Sequence, residues 1–385
     1  KIFIPFGLIF IPLILSLFIS FVTLLVGPFL NMNLASVFLF SGSLAFSDYL
    51  RAKILSGFPW NLWAYSFSSF TEILQILNNV GLFAFNLFSI TIFMIPAVIF
   101  MNLSLLKKFI VIGLIPTLLF FSYIYGNYSI NQNKKNLSLV KEKYFIKIIS
   151  PNFDLKYNLD KSEIEMRLEK LIKYSEPDQN LSTLFVWPEG VFSGYSFKEI
   201  IYLKKIFFNN FTKDHLILFG INRLDTKKKG VYNSLVIVDN KMNIIQEYHK
   251  QKLVPFGEFL PFEEFLNQVG IKKITEGYSS FLNGSKQKNL VINNLNILPL
   301  ICYEVIFTRF IQKSDPKTNL IINISEDGWF GKSIGIDQHF YHSIFRSIEE
   351  GKNIIRSANN GISAYIDSKG QIIKKIESTQ KGVIE

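Results

Sequence analysis

The sequence predicts an α-helical membrane domain followed by a layered α/β domain. Three long stretches in the first third of the chain, 2–47, 73–106 and 109–133, contain no charged residue. Each is longer than the roughly 20 apolar residues that a membrane-spanning helix needs. After Lys134, charged residues become frequent and the apolar runs shorten to the length of strands. Short strands that alternate with amphipathic helices are typical of an α/β domain.

The first third of the chain is predicted to form about four membrane helices. A single apolar segment at the N-terminus would be compatible with a signal peptide, but several in succession are not. The expected domains are a multi-span membrane domain at 1–130, a polar, lysine-rich linker at 131–143 and an α/β domain at 144–385. The predicted helices cover approximately residues 4–29, 34–50, 74–102 and 108–128.

Basic residues flank these helices unevenly. The positive-inside trend makes the side that carries Lys107 and Lys108 cytoplasmic, which places Arg51 and Lys53 on the opposite side. Basic residues on that side are either functional or paired, or they are anchors at the membrane surface. The sequence leaves both explanations open.

The chain of 385 residues carries a formal net charge of +11 and a single cysteine. No segment interleaves basic and aromatic residues as nucleic-acid-binding modules do, so nucleic acid is not an expected partner. A basic surface beside anionic lipid headgroups is the simpler explanation of the charge. With one cysteine, no disulfide can form within the chain.

The second part of the chain alternates short apolar runs with stretches of helical periodicity. The predicted helices lie at 161–174 and 335–351. The predicted strands lie at 144–149, 184–187, 215–221, 234–238, 297–301, 320–324 and 353–357.

Two charged residues are suited to acid–base or electrostatic chemistry. Glu189 lies between a proline and a glycine after the strand 184–187, where partial burial would raise its pKa and suit it to general-base work. Lys250 precedes a loop rich in proline and glycine, where a fixed ammonium would stabilise a developing oxyanion. Taken alone, Glu189 is more simply an ordinary glutamate at the end of a strand, and Lys250 a surface lysine before a loop.

Cys302 lies at the predicted junction between the strand 297–301 and a following helix. A helix N-terminus and a nearby lysine both lower a thiol pKa, which favours the nucleophilic thiolate. The arrangement resembles a nucleophile elbow in its logic. By itself, a lone cysteine is more often a small buried hydrophobic residue.

In the order Glu189, Lys250 and Cys302, these residues resemble the catalytic triad of the nitrilase, or carbon–nitrogen hydrolase, superfamily. Longer motifs resemble its apolipoprotein N-acyltransferase branch. These are the Pro-Phe-Gly-Glu-Phe-Leu-Pro loop at 255–261, Cys-Tyr-Glu at 302–304, Asp-Gly-Trp-Phe-Gly at 327–331, Gln-His at 338–339 and the segment 356–363. Two motifs in the membrane part, 48–51 and 57–60, agree with them.

The resemblance implies a nitrilase-type αββα sandwich at 144–385, facing the periplasm from a multi-pass domain in the bacterial inner membrane. The family moves an acyl chain from a phospholipid to the α-amino group of the diacylglyceryl-cysteine that begins a lipoprotein. Phospholipid and diacylated lipoprotein are therefore the expected partners. No cofactor or metal is expected, and the protein is expected to act as a monomer.

Roles follow from the resemblance residue by residue. Cys302 is expected to become the acyl thioester, Glu189 to act as the base and Lys250 to stabilise the oxyanion, helped by a backbone N–H near Tyr303. Glu258 resembles the family's additional carboxylate, which orients the lysine or the nucleophile. The positions that match residues lining the family's site or its mobile loops are Tyr303, Glu304, Asn233 and Trp329.

The sequence also departs from the family. Tyr157 stands where tryptophan is usual, and Glu326-Asp327-Gly328 replaces a more typical Asn-Asp-Ala. The chain is expected to be a fragment at both ends, without some helices of the family. His339 and His342 are three apart on a predicted helix, a spacing compatible with a metal, but structural histidines are the favoured interpretation.

Two alternatives to an acyltransferase remain open at the level of sequence. The first is a membrane-tethered nitrilase-type amidohydrolase that uses the same triad and releases its product to water. The second is an inactive membrane scaffold, against which the intact triad counts.

Overall fold

Apolar helices joined by short turns make up the first unit of the chain, Lys1–Gln132. The computed structural model describes residues 4–54, 56–137, 145–263, 268, 280–285, 288–308 and 317–385. Three of the described helical segments are long and apolar enough to cross a membrane: Pro12–Phe29, Leu82–Phe100 and Leu105–Lys135. The α-helices that begin in this unit are α1 (Ile4–Val26), α2 (Leu34–Arg51), α3 (Thr71–Leu74), α4 (Leu77–Val80), α5 (Leu82–Met94) and α6 (Leu105–Leu137).

The predicted span at 74–102 is wrong as a single helix. Gly81 ends α4 with φ +78°, a conformation that favours glycine, and so separates α4 from α5. Pro96 lies in the first turn of a 3-10 helix, Ile95–Phe100, that follows α5. Helix α2, predicted as a span, is not among the long apolar segments. The described residues therefore contain three candidate spans where the sequence predicted about four.

Buried polar residues join α2 to α5. Nη2 of Arg51 lies 2.8 Å from Oδ1 of Asp48. Asn86 donates to the other Asp48 oxygen at 2.9 Å and accepts from the backbone N–H of Ala64 at 3.1 Å. Arg51 also donates to the carbonyl of Phe58 at 3.1 Å. Because an unpaired charge is costly where water is excluded, pairing is the explanation of Arg51 that the structure supports.

The second unit, Asn133–Glu385, contains two six-stranded sheets. The α-helices that begin among its described residues are α7 (Lys161–Ser175), α8 (Lys204–Asn210) and α9 (Gly335–Glu350). Its strands are β1 (Phe145–Ser150), β2 (Thr183–Val186), β3 (His215–Asp225), β4 (Gly230–Val238), β5 (Ile244–His249), β6 (Leu290–Ile292), β7 (Leu295–Ile301), β8 (Leu320–Glu326), β9 (Asn353–Asn359), β10 (Ser363–Ile366), β11 (Ile372–Ile376) and β12 (Gly382–Ile384).

The strand order is β12-β1-β2-β3-β4-β5 in the first sheet and β11-β10-β9-β8-β7-β6 in the second. In the first sheet β1, β2 and β3 are parallel, and in the second β7, β8 and β9 are parallel. The remaining neighbours pair antiparallel. Each sheet therefore has a parallel centre, the part that needs cover on both faces.

Alternate side chains of the first sheet enter two different hydrophobic cores, as the two-residue period of a strand requires. Phe185 of β2 and Phe219 of β3 pack in the core that includes Leu168 of α7. Their neighbours Val186 and Leu218 pack in the core shared with strands of the second sheet. Helix α9 contacts β9 of the second sheet. These layers confirm the predicted αββα sandwich.

Helix α7 begins where the sequence predicts it, because a capping box defines its start. The Asp160 side chain accepts from the Glu163 backbone N–H at 2.8 Å, and the Glu163 side chain accepts from the Asp160 N–H at 3.0 Å. Elements that are short or mix polar with apolar residues were not predicted. They are α8, β5, β6, β10, β11 and β12.

Helix α6 continues to Leu137, into the segment that the sequence predicts as a linker. Residues 138–144 lie outside the described residues. The start of the strand predicted at 144 lies there as well, and β1 begins at Phe145.

Trp187 packs in the core between the first sheet and α7, two residues before Glu189. It is fully buried, and its Nε1 donates to Oγ of Ser175 in α7 at 2.9 Å. We expect Ser175→Ala to lower the free energy of unfolding by about 1–3 kcal/mol, because it leaves the buried indole N–H without an acceptor. Chemical denaturation in detergent, followed by tryptophan fluorescence, measures the change.

Ser162→Ala is the matched control, because Ser162 is an exposed serine of the same helix. Its effect should stay within about 0.5 kcal/mol. Equal stability of the two variants would show that the bond between Trp187 and Ser175 does not stabilise the fold.

Candidate active site

Glu189, Lys250 and Cys302 all follow strands of the α/β unit. Lys250 comes directly after β5 and Cys302 directly after β7, whereas Glu189 follows β2. Since β3 is parallel to β2 and two antiparallel pairings lead from β3 to β5, β2 and β5 run in the same direction. Their carboxyl ends therefore lie at one edge of the first sheet, where functional groups collect in α/β domains.

The ammonium of Lys250 lies at the centre of a buried hydrogen-bonded group. Lys250 is 1% exposed, and its Nζ donates to Oε1 of Glu258 at 2.8 Å. The same Nζ lies 3.9 Å from Oε1 of Glu189. Asn233 of β4 bridges the two carboxylates, because its Nδ2 lies 2.7 Å from Oε1 of each. Four of the residues named from the sequence thus contact one another directly.

Burial and charge act in opposite directions on this group. Burial raises the pKa of Glu189, and Lys250 offsets only part of that rise. Burial alone would lower the pKa of Lys250, but Glu258 and Glu189 outweigh it and hold that pKa above its ordinary value. Lys250 therefore stays cationic at neutral pH, and Glu189 takes up a proton more readily than a carboxylate in water.

The loop after β5 folds back so that Glu258 reaches Lys250. Oε2 of Glu258 accepts from the backbone N–H of Val254 at 2.8 Å, and its own N–H donates to the Val254 carbonyl at 2.8 Å. The backbone N–H of Lys250 donates to the Asn233 carbonyl at 2.9 Å. These bonds fix both the lysine and its carboxylate partner to the backbone.

Cys302 is half-buried and has a left-handed backbone, with φ +50°. It begins a 3-10 helix of five residues, Cys302–Ile306. A left-handed backbone is uncommon for residues other than glycine, asparagine and aspartate, and it is found where a sharp turn presents a functional side chain. This turn from strand to helix is the one that the sequence predicts.

The expectation of a lowered thiol pKa is wrong for Cys302 in this state. Burial raises the pKa of the thiol, Glu189 raises it further, and Lys250 offsets only part of the rise. The helix that follows has five residues and is of the 3-10 type, so it contributes little dipole. Ionisation of the thiol therefore requires a base beside it.

Glu304 ties the turn that carries the cysteine to the loop that follows the lysine. Its Oε1 accepts from the backbone N–H groups of Gln251 at 2.7 Å and Lys252 at 3.1 Å, and from the Tyr248 hydroxyl at 2.8 Å. Its Oε2 accepts from the Ile301 N–H at 2.9 Å. Burial raises the pKa of Glu304 to about 7.

Tyr303, between Cys302 and Glu304, is 7% exposed and packs edge-on against Phe307, with 5.1 Å between ring centroids. Trp329 is 47% exposed on the short turn Gly328–Phe330. Among the described ring contacts, Trp329 packs against Tyr157, at 5.4 Å between centroids. The structure therefore places Tyr303 in the turn of Cys302 and Trp329 at the surface.

A second polar cluster surrounds Asp327, which is fully buried. Its Oδ1 accepts from Oγ of Ser325 at 2.6 Å and lies 2.9 Å from Nδ1 of His339, and its Oδ2 accepts from Arg356 at 2.6 Å. Nε2 of His339 lies 3.3 Å from the carbonyl oxygen of Cys302. Burial would raise the pKa of Asp327, but Arg356 and His339 hold it well below its usual range.

Only part of this cluster was predicted from the sequence. Asp327 and Arg356 lie within the motifs described above, His339 was interpreted as structural, and Ser325 was not predicted. Sγ of Cys302, an oxygen of Asp327 and a nitrogen of His339 lie within 4.8 Å of one another, although they come from separate segments. The charge of Asp327 is balanced by Arg356, so the cluster is a hydrogen-bonded network with its own cation.

Glu326 is the departure from the family that lies beside the site. Its carboxyl accepts from the backbone N–H of Gly328 at 2.8 Å and from the side-chain amides of Asn359 at 2.6 Å and Asn360 at 3.2 Å. Its backbone N–H donates to Oε2 of Glu189 at 3.1 Å. Burial raises the pKa of Glu326 to about 8. The Glu326 side chain therefore supports the turn that carries Trp329, while its backbone, independently of the side chain, supports Glu189.

Known proteins resemble this chain over almost its whole length. A family model described as carbon-nitrogen hydrolase matches residues 149–385. The apolipoprotein N-acyltransferase of Rickettsia prowazekii (strain Madrid E) is 33% identical over 392 residues, which cover 99% of this chain and 76% of that protein. That of Rhodopseudomonas palustris is 30% identical over 361 residues, which cover 89% of this chain and 66% of that protein.

Among solved structures, an amidase from Nesterenkonia sp. is 14% identical, with a TM-score of 0.46 over 64% of this chain and 90% of that chain. The assignment rests on the family model and the relatives. The chain belongs to the apolipoprotein N-acyltransferase family of the nitrilase, or carbon–nitrogen hydrolase, superfamily.

Proposed function

We propose that this chain transfers an acyl chain from a phospholipid to the N-terminal amine of a diacylglyceryl-cysteine lipoprotein, through a thioester on Cys302. The observation that carries the proposal is the buried group of Glu189, Lys250 and Glu258, in which the charges of Glu189 and Lys250 act on the Cys302 thiol. Relatives of the chain are named apolipoprotein N-acyltransferases, which supports the same reaction class.

In the proposed first step, Glu189 removes the thiol proton and the sulfur of Cys302 attacks the sn-1 ester carbonyl of the phospholipid. The raised pKa of Glu189 suits a base that must take a proton from a thiol whose own pKa is raised. The proton then passes from Glu189 to the departing lysophospholipid oxygen. The acyl chain is left as a thioester on Cys302.

Lys250 is proposed to stabilise the oxyanion of the tetrahedral intermediate. An ammonium has three hydrogens, and the described hydrogen bond to Glu258 uses one of them. The raised pKa keeps the charge in place at neutral pH. A fixed cation of this kind needs no reorganisation as the oxyanion forms. Glu258 and Asn233 are proposed to hold the ammonium, and a backbone N–H near Tyr303 to assist it.

In the proposed second step, the lipoprotein amine attacks the thioester and Glu189 accepts its proton. The C–S bond then breaks, the acyl chain leaves as the amide of the lipoprotein, and the proton on Glu189 returns to the sulfur of Cys302. Glu304 is proposed to hold the cysteine turn against the lysine loop while the substrates exchange. Trp329 is proposed to line the entrance for the lipids.

A membrane substrate accords with the apolar surface of the chain. Three described helical segments are long and apolar enough to span a bilayer. Phe256 and Phe262, in the loop that carries Glu258, are 37% and 74% exposed. We propose a multi-pass protein of the bacterial inner membrane that acts as a monomer, with the catalytic domain at 144–385 on the periplasmic side.

Cys302→Ala should abolish both the acyl adduct and the transfer, because the chain contains no other thiol. Cys302→Ser should also be close to inactive, since a hydroxyl is far harder to deprotonate than a thiol. Mass spectrometry of the protein after exposure to phospholipid vesicles detects the adduct. Transfer retained by the alanine variant would exclude Cys302 as nucleophile.

Glu189→Gln should block adduct formation while phospholipid binding stays measurable, because the amide cannot take the thiol proton. Lys250→Ala should slow adduct formation by about 10²–10³-fold, the usual effect of losing one oxyanion contact. Single-turnover kinetics with a labelled phospholipid measure both rates.

The matched controls are Glu247→Gln and Lys252→Ala, which change half-exposed residues of β5 and of the loop after it. Both controls should react at near-normal rates. Near-normal rates in Glu189→Gln or Lys250→Ala would show that the role proposed for that residue is incorrect.

The lifetime of the acyl adduct separates a transferase from a membrane-tethered amidohydrolase. A thioester intermediate of a transferase must survive until an amine arrives, which predicts ping-pong kinetics. Phospholipid alone should therefore give a long-lived adduct, and a diacylated lipopeptide with a free amino terminus should discharge it. A lipopeptide with an acetylated amino terminus is the control and should leave the adduct intact. Rapid release of free fatty acid in every sample would favour the hydrolase.

A further inference from the structure

The sulfur of Cys302 has a polar neighbour on the adjacent strand that the proposed triad does not include. Strands β7 and β8 are parallel, with Ile301 opposite Ile324. One residue further along each strand, Cys302 and Ser325 follow these partners. Ser325 is fully buried, and its hydroxyl donates to the Asp327 carboxylate, an oxygen of which lies within 4.8 Å of the Cys302 sulfur. The same hydroxyl acts on the Cys302 thiol and lowers its pKa. The position of this hydroxyl is therefore set by the register of the sheet.

The hydroxyl is held by a carboxylate, since Oγ of Ser325 donates to Oδ1 of Asp327 at 2.6 Å. A hydroxyl has one hydrogen and two lone pairs, so it donates to one partner at a time. While Cys302 is a thiol, Ser325 can donate to Asp327 and accept from S–H. A thiolate has no hydrogen and can only accept. Once the sulfur is ionised, the hydroxyl must turn toward it or leave lone pairs facing a negative charge.

Asp327 can release this hydrogen bond without becoming an unpaired buried charge. Its Oδ1 keeps Nδ1 of His339 at 2.9 Å, and its Oδ2 keeps the guanidinium of Arg356 at 2.6 Å. Both partners hold the pKa of Asp327 low against the effect of burial, so it remains a carboxylate. Asp327 therefore remains paired when the Ser325 hydroxyl turns away from it.

We propose that Ser325 is a further catalytic residue, whose hydroxyl donates to Asp327 beside the thiol and turns to donate to the sulfur when Glu189 removes the thiol proton. In this step the S–H bond breaks and an O–H bond forms on Glu189. The O–H bond of Ser325 only rotates. The inference rests on the proposed role of Cys302 as nucleophile.

The charges around the sulfur show why a donor is needed there. Burial raises the pKa of the Cys302 thiol, Glu189 and Asp327 raise it further, and Lys250 and the Ser325 hydroxyl lower it. Lys250 is shared with Glu258, at 2.8 Å. Among the described residues, the imidazole of His339 also lies near the sulfur, and its Nε2 lies 3.3 Å from the Cys302 carbonyl oxygen. Ser325 supplies a neutral donor between the sulfur and the carboxylate of Asp327.

The test reads the thiol directly in the full chain, purified in detergent. Alkylation by iodoacetamide reports on Cys302 alone, because it is the single cysteine of the chain. Mass spectrometry gives the rate constant between pH 6 and pH 10, where alkylation follows the thiolate fraction. Ser325→Ala should be alkylated about tenfold more slowly at each pH below the thiol pKa, the effect expected from losing one hydrogen bond to a charged group.

Ser347→Ala is the matched control, because Ser347 is a buried serine of α9 whose hydroxyl donates to the Ile344 carbonyl of its own helix at 2.8 Å. It should keep the wild-type pH profile. If the role of Ser325 were purely structural, Ser325→Ala would lower the melting temperature of the protein and leave the pH profile of alkylation unchanged. Folded Ser325→Ala protein with the wild-type alkylation rates would overturn the proposal.

Ser325→Thr and Ser325→Val keep the test decisive if the alanine variant does not fold. Their side chains have the same shape and differ in the hydroxyl, so the valine variant should react about tenfold more slowly than the threonine variant. Equal rates would contradict the proposal. The alkylation measurements do not depend on acyl transfer. Transfer by Cys302→Ala would contradict the proposed function, whereas unchanged alkylation rates in the Ser325 variants would contradict this inference, so the two failures are distinguishable.

Discussion

The ammonium of Lys250 is buried, and the active site is organised by the need to neutralise it. A buried charge without a partner costs several kcal/mol. Glu258 and Glu189 supply the negative charge, and Asn233 joins their carboxylates. These residues come from four places in the chain that the strand order β2-β3-β4-β5 brings together. The strand order of the first sheet is therefore what allows the charges of the site to balance.

Cys302, the proposed nucleophile, is attached to this arrangement from the second sheet. Glu304 accepts backbone N–H groups from both the cysteine turn and the lysine loop, so the two sheets are joined at the site itself. Burial and the nearby carboxylates disfavour a resting thiolate at Cys302. A thiol that ionises only when its proton has a destination is protected from reacting before substrate binds. The proposed hydrogen bond from Ser325 would stabilise the thiolate of Cys302 once its proton has been removed.

The sequence was sufficient for the parts of the fold that depend on local pattern. Apolar runs located the central strands, and Asp160 and Glu163 located the start of α7. Glu189 and Cys302 stood out because they follow such runs, and Lys250 because it precedes a loop rich in proline and glycine. The placement of Ser325 beside Cys302 depends on which strands are neighbours, in which direction and in which register, and no local pattern contains that information. The division of the span at Gly81 was missed because apolar residues continue on both sides of it. The thiol pKa was mispredicted because burial outweighs a short helix.

The parallel register of β7 and β8 also limits where residues can be inserted into the chain or deleted from it. Successive side chains of a strand point to opposite faces. One residue inserted into β8 would turn either Ser325 or the apolar residues before it to the wrong face. One residue inserted into β7 would do the same to Cys302. Insertions and deletions in related proteins should therefore accumulate in the turn between Ile292 and Leu295, where β6 and β7 form a hairpin, and spare the strands themselves.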